Sequence, residues 1–104
     1  MSFDIESVLK EMAGAINESV KDDIGDIKDY TDTILKNEKD SLKELGEARI
    51  SGQITDEVFD REIAREKKVV ETELLTIQIM TEAAAQKAVN VAIDIFINSV
   101  KAVI

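Results

Sequence analysis

Glu38, Glu66 and Glu73 are the side chains best placed for chemistry, because each carboxylate falls beside an apolar stripe. If the chain folds back on itself near residue 52, Glu38 comes to lie near Glu66 and Lys67. The expectation carried forward is an ion pair with Lys67 or a solvent-facing edge. A carboxylate-only metal site is the sharper alternative. Di-iron bundles combine inward Glu residues with Glu-x-x-His pairs, and with no histidine in the chain that arrangement cannot be built.

Asp22, Asp23, Asp26, Asp29 and Asp32 form a second concentration of carboxylates. Their spacing lacks the alternating oxygen ligands and fixed turn glycine of a Ca2+ loop. A solvated face is the ordinary reading, and a docking surface for a basic partner is the alternative. With His and Cys both absent, the commonest general base and the most reactive nucleophile are missing. Ser, Asp, Glu, Lys and Tyr remain, but no nucleophile has a base beside it, and no glycine-rich phosphate loop occurs. No catalytic, cofactor-binding or metal residue is therefore assigned, no cofactor is expected, and an enzyme is not expected.

The formal net charge is -9, which phosphate backbones and anionic lipid surfaces repel. Direct nucleic-acid binding is not expected. The start, Met1-Ser2-Phe3-Asp4-Ile5-Glu6, lacks the basic region and short apolar core of a secretory signal. No apolar run approaches the ~20 residues of a membrane span. A cytoplasmic location is the expectation.

The elements that must position these residues are helices. Pro is absent and Gly occurs four times in 104 residues. Few breaks mean few elements, and long ones. Ile5, Val8, Leu9, Met12, Ala13, Ile16 and Val20 step three and four apart on one helical face, starting at Ser2 or Asp4. The face continues through Ile24, Ile27, Tyr30 or Thr31, Ile34, Leu35, Leu42 and Leu45, with a kink expected near Gly25 or Asn37. Around Gly52 the first helix ends, with Thr55 as N-cap of the next and the staple pair Ile54 and Phe59. The second helix is expected to run from Thr55 nearly to the C-terminus. Its tail is apolar on all but the stripe Lys87, Asn90, Asp94, Asn98 and Lys101.

The stretch Gly52-Gln53-Ile54-Thr55-Asp56-Glu57-Val58-Phe59 resembles the turn of short bacterial helical-hairpin segments of the SHOCT type. The size and hairpin layout resemble the small secreted WXG-type proteins, whose Trp-x-Gly turn is missing here. Neither likeness assigns a family.

The expected architecture is all-α: one domain, 1–104, forming a long antiparallel two-helix hairpin with its turn around 50–55. The tail would be wet in a lone hairpin, and exposed apolar patches of that size mark interfaces. A homodimer, or a tetramer, forming a four-helix bundle covers it. The expected interface is Ile5, Leu9, Met12, Ile16, Val89, Ile93, Phe96, Ile97 and Val100. Charged coiled-coil arms, Lys36–Leu45 and Asp60–Lys68, would project from it. The functional expectation is a non-enzymatic structural or interaction protein. A subunit or chaperone shielding a hydrophobic helix of a partner protein is the alternative.

Overall fold

In the computed structural model, which describes residues 3–77 and 80–104, Ile5, Val8, Leu9, Met12, Ala13, Ile16 and Val20 are all buried on one face of α1, Ile5–Ile24. Asp4 starts the helix: its Oδ1 accepts from the Glu6 N–H and its Oδ2 from the Ser7 hydroxyl. That capping, with the Ser7 hydroxyl foremost, holds the Asp4 carboxyl below its ordinary pKa. The other expected start, Ser2, lies outside the described residues.

Both expected kink positions are helix boundaries. α1 ends at Gly25, whose φ of 85° suits a residue without a Cβ. After three residues α2, Lys28–Asn37, begins. Asn17 pins the turn, its Oδ1 accepting from the Ile27 N–H at 2.9 Å. Glu38 then separates α2 from α3, Lys39–Ile50, so that these two helices form a single return leg.

The Gly52 turn forms as its sequence indicates. Gly52 sits at φ 80°, its N–H donates to the Arg49 carbonyl, and the Gln53 N–H donates to that of Ala48. These are the two bonds of a Schellman ending. α4, Asp56–Leu74, follows, with the Thr55 hydroxyl accepting from the Val58 N–H.

The second half departs from the expected single helix. α4 stops at Leu74, and α5, Glu82–Val103, starts afresh from Thr81, whose hydroxyl accepts from the Ala84 N–H. An unbroken helix from residue 55 to the end would be ~70 Å long at 1.5 Å per residue. The chain's longest dimension is 40 Å. The break lets α5 turn back along α4 and lie against α1, with which it shares the most extensive contact of the fold.

The result is all-helical, with five helices among the described residues arranged as four antiparallel legs, α2 and α3 sharing one. Near one end Phe96 of α5 lies at the centre of an aromatic group. Its ring is stacked on Phe59 of α4 with centroids 6.2 Å apart, and meets Phe3 edge-on at 6.0 Å. Gly46 of α3 makes room for Phe3, since a Cβ there would lie 2.7 Å from that ring.

This packing changes the reading of the apolar tail. Ile5, Leu9, Met12, Ile16, Val89, Ile93, Phe96 and Val100 are buried within one chain, and Ile97 is half-buried. Intramolecular legs cover the faces for which a second copy was expected. Likewise α3 and α4 do not form a two-helix arm, because both pack against α5. Among the described residues, no helix is long and apolar enough to cross a membrane.

Candidate functional site

Glu66 and Glu73 lie seven residues apart on α4, on one face and two turns (about 10 Å) apart along the axis. Glu38, at the α2–α3 junction, acts electrostatically on both. Burial first, and then the Glu38 charge, push the Glu66 carboxyl up to about 7. The same two causes, in the same order, raise Glu73. The Oε2 atoms of Glu66 and Glu73 are buried and lack a hydrogen-bond partner.

The structure thus brings together the three carboxylates that the sequence singled out, in a way neither reading described. The ion pairs among the described residues are Lys39–Glu6, Arg49–Asp56 at 2.6 Å, and Arg65–Glu62 at 3.5 Å; Lys67 is in none of them. The two-turn separation on α4 also keeps the trio from converging. Among the described residues no group of three or more Asp or Glu is arranged to hold a metal ion. What the seam can hold is a proton. As carboxylates, Glu38 and Glu66 are both acceptors and repel. Once protonated, Glu66 is no longer repelled by Glu38 and its charge no longer needs solvating.

At the end where α1 turns into α2, Asp22, Asp23, Asp26, Asp29 and Asp32 are all exposed. Asp26 has a local task, its Oδ1 accepting from the Lys28 N–H at the start of α2. None of the five is in an ion pair among the described residues. Asp22 and Asp23 occupy the last turn of α1, where the helix dipole is negative and disfavours further negative charge.

Beside this end runs an open groove of about 490 Å3 between α2 and the end of α4. It is lined by Asp29, Tyr30, Thr33, Ile34 and Asn37 on one side and by Glu73, Thr76 and Ile77 on the other. Tyr30 stands 61% exposed, while its neighbour Thr31 is fully buried. The sequence left the choice between these two open. Thr31 takes the buried place because it stands four residues after buried Ile27 and three and four before buried Ile34 and Leu35, while Tyr30 falls off that stripe.

No protein-family model matches this chain, and neither a curated protein nor a solved structure matches it. The likeness of Gly52–Phe59 to a SHOCT turn therefore extends only to how that turn is built: a left-handed glycine followed by a Thr-capped helix.

Proposed function

We propose that this chain is a non-enzymatic interaction protein that docks a basic surface of another protein with its acidic α1–α2 end. The observation that carries the reading is the placement of Asp22 and Asp23, both exposed, at the negative end of α1, with Asp26 and Asp29 exposed where α2 begins. The α1 dipole disfavours negative charge at Asp22 and Asp23, whereas Asp29, in the first turn of α2, is favoured by that helix's dipole. Two carboxylates kept at an unfavourable helix end, in no ion pair among the described residues, fit a role in recognition. Complementary charge speeds encounter and selects partners.

The readings as a homo-oligomer or as a shield for a hydrophobic helix both drew on an uncovered apolar tail. Val89, Ile93, Phe96 and Val100 are buried inside the chain, while Val91 and Ile104 stay exposed and Ile97 half-buried; with most of that face covered, the acidic surface is the stronger basis for recognition.

The test replaces Asp22 and Asp23 with Asn. The expected result is a higher Tm and loss of binding to a synthetic lysine- and arginine-rich peptide in low-salt calorimetry. Absence of binding by the parent chain, or equal binding by the variant, overturns the proposal.

A further inference from the structure

The groove between α2 and the end of α4 has several properties that belong together. Its one large aromatic group, Tyr30, is 61% exposed, far more than a ring needed for packing would be. On the facing side stands Glu73, whose Oε2 is buried and has no hydrogen-bond partner. Asp29 adds a further carboxylate, and the lining includes no Lys or Arg among the described residues. The C-terminal end of α2, with its partial negative charge, arrives at Asn37 on the same rim.

A neutral apolar side chain would leave the Glu73 and Asp29 carboxylates of the lining without a counter-charge. An acidic one would be repelled. A lysine or arginine side chain satisfies every feature: its aliphatic stem lies on Ile34 and Ile77, its cationic head meets the Tyr30 ring face, and its N–H groups donate to Glu73. A second copy of this acidic chain, with net charge -9, is a poor occupant.

We propose that this groove receives a lysine or arginine side chain from a basic segment of a partner protein, held between Tyr30 and Glu73. The inference rests on the acidic-end reading above and deepens it, because the groove shares Asp29 with that surface. The aspartates bring the basic segment in, and the groove fixes where it sits.

Tyr30 supplies the assay. It is the only tyrosine and the chain has no tryptophan, so its emission reports on this groove alone. The probe is a synthetic lysine- and arginine-rich peptide without aromatic residues, titrated at low salt with parallel calorimetry. The expected result is a saturable change in Tyr30 emission. Glu73→Gln is expected to weaken binding by about fivefold, and Tyr30→Leu, followed by calorimetry, by a similar factor. Glu57→Gln removes one charge at the far end of α4 and is expected to change affinity less than twofold, about the level of a long-range effect. Circular dichroism confirms that each variant is folded.

Calorimetric binding with unmoved Tyr30 emission, or with equal losses in Glu73→Gln and Glu57→Gln, overturns the groove proposal and leaves the acidic-end reading standing. Equal binding of the same peptide with glutamine in place of its basic residues overturns it as well, by showing an apolar groove. Absence of calorimetric binding overturns both.

Discussion

Glu66 of α4 and Glu38 of the α2–α3 junction are half-buried carboxylates that act on each other, and among the described residues neither is in an ion pair. Arg65 lowers the Glu66 pKa somewhat and Glu62 raises it, but burial and Glu38 outweigh Arg65. The seam is consequently the part of the fold most sensitive to pH near neutrality.

The sign of that sensitivity follows from linkage. Glu66 has its pKa raised from 4.5 to about 7, so the folded chain holds this proton more tightly than the unfolded chain. Its stabilisation is complete below about pH 4.5 and is lost as pH rises to about 7. For a fully buried group a rise of that size would correspond to about 3 kcal/mol. Partial exposure reduces this to roughly 1–2 kcal/mol. Glu66→Gln is expected to exceed the parent in stability by that amount at pH 8 and to match it near pH 5. Urea titrations at the two pH values measure the difference, and an equal difference at both would sink the idea.

Gly46 and Phe3 set up a second prediction with opposing terms. Replacing a helical glycine with alanine gains about 1 kcal/mol of propensity. At Gly46, however, the new Cβ would meet the Phe3 ring at 2.7 Å and displace it from the edge of Phe96. That loss is about 0.5–1.5 kcal/mol for the aromatic pair, before any burial of the ring is counted. Gly46→Ala is expected to be neutral or destabilising alone. In a Phe3→Ala background it is expected to stabilise by about 1 kcal/mol. A double-mutant cycle of chemical denaturation checks the reversal, and additive effects would disprove the contact.

Asn17 tests what holds α1 to α2. Its side-chain oxygen is the acceptor for the Ile27 N–H, which α2 itself cannot satisfy at its start. Asn17→Ala is expected to cost about 1 kcal/mol. Hydrogen exchange gives the local readout, since the Ile27 amide is expected to accelerate more than amides in the middle of α1. Unchanged exchange at Ile27 would show that the bond contributes nothing.

The helical class, the buried face of α1, the Gly52 turn and the Thr55 cap were all legible, because each depends on residues within a few positions of one another. The break between α4 and α5 was not read. Leu74, Leu75 and Ile77 continue an apolar pattern across it, and periodicity says nothing of where a helix pauses. The available signal was Thr81 followed by Glu82, a cap and an acidic first turn of the kind recognised at Thr55. Without that break the same pattern gives a two-helix hairpin, and the hairpin an apparently uncovered tail. The carboxylate trio was legible as a juxtaposition of Glu38 with Glu66. The unpaired state of Lys67 was not, because it depends on where side chains lie around the axis.

Phe96 decides between the two accounts of the tail. In this fold its ring is fully buried among Phe3 of the N-terminal segment and Phe59 of α4, all in one chain. Truncating it to Ala is expected to cost about 3–5 kcal/mol, the usual range for a core phenylalanine. The parent chain is expected to sediment at its single-chain mass of 11.5 kDa. If the tail were instead buried between two copies, the Tm of the parent would rise with protein concentration, because association would be part of its stability. The self-contained bundle predicts a Tm independent of concentration over a hundredfold range. It also predicts that Ile97→Asp, at the half-buried edge of the same helix, leaves the mass unchanged. A concentration-dependent Tm together with a halved mass for Ile97→Asp would restore the dimer and move the recognition surface from the acidic end to α5.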